Sequence, residues 1–456
     1  MRFRTAVLVF LGVALALAGP FAQSPASQQP PAGTQNGPEL VALADEVAKD
    51  VEALRGWTFK QPIKKEVTTL PETVEYLKKQ VDESLPPARA PLVQGFLRTI
   101  GLLPPDADLR TMWVALLENQ VGGFYDTKTK SMHLVSRPGT PPIVERIVLA
   151  HELTHALDDQ WADLETFVKE RSTESEDIGL VAQSVVEGSA TALMMQYTTR
   201  QVIAGKLKPE ALQDYAKQEA ERSKPFLDAP RYFSAMLGAY ICGTQFLAKG
   251  NIMALAVAPD DKAIGEALLA ARKDPPQSTE QILHSEKYWN AEKRDDPVRF
   301  DDGAAAKWLV RPGRWIVHTD TVGELLTAVL LSPPGSKPDL EGLPSSAAWT
   351  NQGASGWGGD RFYLLASGET PEAARTSLQD VKGVWVTAWD TAKDRDEFLN
   401  AIPAGQLARG AVPVGIGSQV AIVYFGLDDS ERATLTKGFQ ALPIPMTKAG
   451  KPFSGS

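Results

Sequence analysis

Several rhythms of apolar residues follow one another along the chain. In "PELVALADEVAKDVEALRGW", Leu40, Leu43, Val47, Val51 and Leu54 recur at three- and four-residue spacings, which gives a helix one apolar stripe. "LPETVEYLKKQVDESL" and "APLVQGFLRTIGLL" keep that period, and "DLRTMWVALLENQ" continues it with Asp108 placed as an N-cap. At "VGGFYDTKTKSMHLVS" the pattern becomes strand-like: residues 121–125 and 132–135 flank the polar turn "DTKTK", which predicts a β-hairpin. "RPGTPP" breaks the chain, and its last proline suits the first turn of a helix starting near Ile143. That helix carries Leu149, Leu153, Ala156 and Leu157 on one side and His151, His155, Asp158 and Asp159 on the other. A long helix over 177–204 is predicted next, then one over 209–224 and one through "FSAMLGAYICGTQFLAKG".

From about Pro297 the style changes. Strand candidates "RFYLLAS", "GVWVTAW" and "QVAIVYF" alternate with helix candidates "TVGELLTAVLL", "RDEFLNAI" and "DDSERATLTKGFQAL", with a loop at "SPPGSKPDLEGLPSS". The expected fold class is α+β: a mostly helical domain over 38–296 with a small β-hairpin, then a smaller α+β module with an antiparallel sheet over 297–446. Within the first domain, residues 38–120 form a helical N-terminal part and 121–290 the core; residues 447–456 read as a flexible tail. "ASGWGGDRFY" has no Lys-Ser or Lys-Thr pair and leads into a strand, so it is a tight turn rather than a phosphate loop, with Trp357 packing between modules.

The N-terminus combines "MRFR", the apolar run "TAVLVFLGVALALAG" and small residues, the form of a secretory signal peptide over 1–22, with cleavage after Ala18 or Ala22. Residues 23–37, rich in Pro, Gln, Ser and Gly, read as a disordered linker. No other stretch reads as a membrane span, so a secreted or periplasmic location is expected. The only cysteine, Cys242, lies among apolar residues; it excludes an intramolecular disulfide and reads as an inert buried thiol. The chain carries a net charge of −9, and −11 once Arg2 and Arg4 leave with the signal (45 basic against 56 acidic residues). Without a basic stripe, nucleic acid is not an expected partner.

The polar side of the helix near Ile143 carries the chemistry. In "AHELTHALDDQW", His151 and His155 are four residues apart, about 40° around a helix axis, so two imidazoles can meet one Zn²⁺; Glu152 points sideways toward a water at the metal, where it can act as general base. Chance yields H-E-x-x-H in ~0.003 of chains of this composition and length. Catalytic zinc takes three protein ligands and keeps a position for water. Glu187 in "QSVVEGSATALMM" is the lone carboxylate of an apolar run on the next long helix, and Gly188, Ser189 and Ala190 beside it are small enough to let that helix approach closely.

"HELTH" followed by a glutamate on a downstream helix resembles the gluzincin metallopeptidases of the thermolysin-like clan, and "HELTHALDDQW" is locally close to that clan's active helix. The order "GGFYD…MHLV", "AHELTHALDDQ", "VVEGSAT", "PPQSTEQILH" also looks like a group of secreted bacterial proteins with this site; the specific part covers about 115–290. The resemblance implies a zincin-like domain that binds one Zn²⁺ through His151, His155 and Glu187 and hydrolyses peptide or protein substrates with Glu152 as base. It departs from the clan at Thr191, where an acidic residue is usual four positions after the glutamate ligand. The carboxylate that orients a ligand histidine must then be Asp158, Asp159 or Asp177. The clan's use of a downstream histidine makes His284 the first candidate for a donor to the reacting oxygen, with Tyr240 and Tyr288 as others; His133 and His318 read as structural. Gly122, Gly123 and Tyr125 are placed to border a cleft in which an extended substrate pairs with the hairpin edge. Two competing readings are a non-catalytic envelope protein, whose structural zinc site is closed by a fourth ligand such as Asp158, and a latent enzyme with its cleft covered by the N-terminal helices or the later module.

Overall fold

The computed structural model describes residues 37–120, 123–135, 142–171, 173–208, 210, 224–225, 228–336, 345–404, 407 and 410–453. The expected signal, the expected linker up to its last residue Gly37, most of the helix expected over 209–224 and most of the loop after residue 332 lie outside these residues.

The N-terminal part holds helices α1 (Gly37–Arg55), α2 (Leu70–Ser84), α3 (Ala90–Ile100) and α4 (Leu109–Gln120). The predicted stripe of α1, from Leu40 to Leu54, is its buried face. Asp108 caps α4, its Oδ1 accepting the Thr111 N–H at 2.7 Å. A strand not expected here, β1 (Lys64–Thr68), has the sequence "KKEVT", whose polarity hides it from periodicity. What makes it a strand is a parallel ladder with β3 (Ser131–Val135), whose other side pairs with β2 (Gly123–Asp126) in the expected hairpin. The resulting sheet has the order β1-β3-β2, so β2 is an edge.

Helix α5 (Pro142–Ala162) follows, then α6 (Leu164–Arg171), α7 (Glu176–Ile203) and α8 (Arg231–Leu247). Contrary to the expectation that no further stretch is long and apolar enough to cross a bilayer, α7 is; 89 % of its apolar window is buried inside the protein, which makes it the core helix around which the others pack. Gly188 serves a different contact from the one expected. A Cβ on it would lie 2.2 Å from the Gly243 carbonyl carbon, and one on Gly243 would lie 1.8 Å from the Ser184 carbonyl oxygen, so the two glycines let α7 and α8 cross backbone to backbone.

Strands β5 (Arg314–Asp320), β6 (Trp357–Ser367), β7 (Gln379–Trp389), β8 (Val412–Ile416) and β9 (Val420–Phe425) form the expected antiparallel sheet, in the order β5-β6-β7-β9-β8. Alternate residues divide between two cores. Phe362, Leu364, Trp385, Trp389, Val423 and Phe425 face the helical part, while Tyr363, Leu365, Val384, Val386, Ile422 and Tyr424 face Leu309 of the Asp302–Leu309 helix and Leu435 and Phe439 of the Asp429–Ala441 helix. With both faces covered, these strands read as unbroken apolar runs. Helix α3 packs on the first face through Phe96, 4.9 Å from the Phe362 ring, and one core runs from Leu40 to Phe425.

Residues 446–452, most of them expected in the tail, form β10 (Met446–Lys448) and β11 (Lys451–Pro452), paired with β4 (Val298–Phe300). Lys448 is clamped by Asp295 at 2.6 Å and Asp390 at 3.1 Å, and Lys287 bridges Glu280, Asp390 and Asp295. The chain is thus α+β, with helices predominating and mostly antiparallel sheets.

Candidate metal centre

Helices α5 and α7 run side by side, and the three predicted ligands converge between them. His151 Nε2 lies 3.1 Å from Glu187 Oε2 and 3.1 Å from His155 Nε2, and His155 Nε2 lies 3.5 Å from the same carboxylate oxygen. All three side chains are buried, with Glu187 fully enclosed. Ligands held about 2.05 Å from a tetrahedral Zn²⁺ stand about 3.3 Å apart, and the three observed separations bracket that value. Two imidazoles and one carboxylate are also the donor set of a catalytic rather than a structural zinc site. Burial draws Glu187 upward, but the charge of His155 and hydrogen bonds to both imidazoles outweigh it and hold the carboxylate down to about 2. Burial opposes a proton on His155, yet the Glu187 charge overcomes it and lifts the imidazole to about 9. The pocket is therefore built for positive charge beside Glu187, and a divalent ion would take the place of that proton.

Glu152 is fully buried next to this cluster, and burial pushes it up to about 8. Its Oε2 accepts the Tyr125 N–H at 2.9 Å, while its Oε1 has no hydrogen-bond partner. The β2 edge therefore faces α5. Tyr125 is tied twice, its N–H to Glu152 and its hydroxyl to Asp159 Oδ2 at 2.8 Å. Gly123 is buried with φ +142, and a Cβ there would lie 3.1 Å from the His133 carbonyl, so glycine is needed for the hairpin itself. The edge expected to receive a substrate is thus packed against the helix, because two α5 carboxylates take the polar groups of Tyr125. Gly122 lies outside the described residues.

The three carboxylates considered for orienting a ligand histidine lie in different places. Asp158 is one turn from His155 and its Oδ2 accepts from Arg55 Nη2 at 3.0 Å and Ser189 Oγ at 2.7 Å, so it is turned toward α1 and α7 rather than acting as a fourth ligand. Asp159 positions the hairpin, accepting from Tyr125, from Lys130 Nζ at 2.6 Å and from the Leu164 N–H at 3.0 Å. Asp177 is not at the site. It lies in the first turn of α7, ten residues or about 15 Å from Glu187, and its Oδ1 accepts from the Thr279 N–H and hydroxyl.

Of the donor candidates, Tyr240 on α8 stacks on His151 with ring centroids 6.2 Å apart. His284 is instead held by Glu324, 2.9 Å away, and Tyr288 donates to the Asp274 carbonyl at 2.5 Å. A histidine in "STEQILH" ends a five-residue helix whose Thr279 docks on Asp177, which fixes it near the start of α7. His133 stacks on Phe124 at 4.4 Å and His318 bonds Asp320 at 3.0 Å. Cys242 is buried, and burial raises its thiol far above its ordinary value. Arg55 and Asp261, which complete the network around Asp158, were not anticipated. An arginine in the last turn of a helix normally complements the helix dipole, and no local signal sets this one apart.

A family described as "Domain of unknown function (DUF8575)" matches residues 285–435, the part that carries β4 to β9, and its match does not extend to the triad. No curated protein and no solved structure is significantly similar to the chain.

Proposed function

We propose that the chain is an exported zinc metallopeptidase whose zincin-like domain holds one Zn²⁺ through His151, His155 and Glu187. The observation that supports this best is the meeting of those ligand atoms within 3.1–3.5 Å of each other in a buried site beside Glu152. When bound, zinc supplies a Lewis acid for the scissile carbonyl and acidifies a water. Glu152 takes the water's proton at Oε1, the oxygen without a partner, and returns it to the leaving amine, while the Tyr125 N–H on Oε2 fixes the plane of the carboxylate. Tyr240, the one donor candidate in contact with a ligand, serves the oxygen on which negative charge develops. A base beside the triad and an Asp158 engaged by Arg55 both weigh against a closed structural site.

The burial of all four groups and the packing of the β2 edge on α5 favour a latent form of this enzyme over a constitutively open one. Metal analysis and a casein or peptide-library assay on the purified chain, before and after limited proteolysis, test both points. Wild type should hold one zinc per chain. Glu152→Gln should keep it and lose about 10²–10⁴-fold in turnover, and His155→Ala should lose both. Absence of zinc, or hydrolysis independent of Glu152, refutes the proposal.

A further inference from the structure

Arg55 ends α1 with its whole side chain buried, yet it stands in no part of the mechanism above. Its guanidinium joins three separate elements. Nη1 donates to Asp261 Oδ2 at 2.5 Å, and Nη2 donates to Asp158 Oδ2 at 3.0 Å and Ser189 Oγ at 2.8 Å. Ser189 closes the ring by donating to Asp158 at 2.7 Å. Asp158 sits three residues after the ligand His155 on α5, and Ser189 two residues after the ligand Glu187 on α7. Asp261, fully buried, lies at the start of the Lys262–Lys273 helix and makes no cap bond there, so its carboxylate is committed to Arg55. One cation and two anions are thus buried against both ligand-bearing helices, an arrangement that is stable only while all its members are present.

We infer that Arg55 is a positioning residue for the metal: by holding Asp158 and Ser189 in one fork, it sets the separation of His155 from Glu187, with Asp261 fixing the fork from behind. The inference rests on the reading of the triad as a zinc site. Asp158 Oδ1 and His155 Nδ1 are both buried without a hydrogen-bond partner, so no direct bond joins this carboxylate to the imidazole, and Arg55 acts by seating α5 against α7 one turn from each ligand.

Zinc competition with a chromophoric chelator and the visible spectrum of the Co²⁺-loaded chain test this on the full protein, well below its melting temperature. Arg55→Met should weaken zinc binding by about 10–100-fold and shift the cobalt spectrum. Arg55→Lys keeps the charge but cannot reach three acceptors, and should recover only part of the loss. If Arg55→Met fails to fold, Asp261→Asn carries the test, because it alters neither ligand helix: it should still lower zinc affinity and move the cobalt bands. Folded Arg55→Lys and Asp261→Asn chains with wild-type affinity and spectrum overturn the inference while leaving the triad reading intact. A wild-type chain that binds neither zinc nor cobalt overturns the triad reading, and the inference with it.

Discussion

Replacing Gly243 by alanine tests how closely the helix that carries Glu187 must be approached from behind. The new methyl group would lie 1.8 Å from the Ser184 carbonyl oxygen and 2.6 Å from its carbon, whereas real Cβ atoms essentially never come within 3.0 Å of another heavy atom. Helices α7 and α8 must therefore part by about 1.2 Å (3.0 less 1.8), and because the obstacle is backbone no rotamer change can relieve it. A gap of about 0.5–1 Å already forfeits a quarter to a half of each contact's attraction. Overpacking of a core costs about 1–3 kcal/mol, and with backbone on both sides the loss should fall at or above the upper figure. Urea unfolding followed by fluorescence measures it, and Gly438→Ala serves as the control. Gly438 lies inside the Asp429–Ala441 helix with nothing within 4 Å of a new Cβ, so that alanine should stabilise by about 0.5–1 kcal/mol. Because Ser184 is less than one turn from Glu187, zinc affinity should fall with stability in Gly243→Ala. A Gly243→Ala protein within about 0.5 kcal/mol of wild type would refute the backbone-to-backbone crossing.

Two further substitutions probe buried charge. Burial raises Asp177 from an ordinary 3.8 to about 7, so between these values the folded chain keeps a proton that the unfolded chain has released, and stability falls as pH rises through that window. Asp177→Asn stays neutral and can still accept from Thr279, so its stability relative to wild type should rise from pH 4 to pH 8 by a few kcal/mol in denaturant titrations, and a flat difference would contradict this. Lys287→Met removes the cation 2.6 Å from the fully buried Glu280 and should cost about 3–5 kcal/mol, much of it restored by adding Glu280→Gln. Thermal melts of the single and double variants decide the point, since a double variant no better than the single would place the loss elsewhere.

The parts of the site that could be read in advance share one property: each lies on a single helix with its own period. His151, Glu152 and His155 are set by α5 alone, and Glu187 stood out because one carboxylate interrupts an apolar run. Asp177 failed the same reading because position along a helix, not membership of it, decides what a side chain reaches, and ten residues carried it away from the triad. His284 failed because its partner Glu324 comes from a helix forty residues later. β1 escaped notice because its strand character comes from the ladder with β3 rather than from its own residues.

From sequence alone followed the α+β class, the apolar stripe of α1, the hairpin and the placing of two histidines and a glutamate together on one helix, because periods of 3.6 and 2 and i,i+4 spacing are local consequences of backbone geometry. Only the tertiary structure decided that Glu187 closes on both imidazoles, that Gly188 meets α8 instead of α5, that Tyr125 covers Glu152, and that Arg55 joins Asp158 to Asp261. Those contacts link residues from 27 to 206 positions apart, and they depend on how whole helices seat against a common core, which no local pattern encodes.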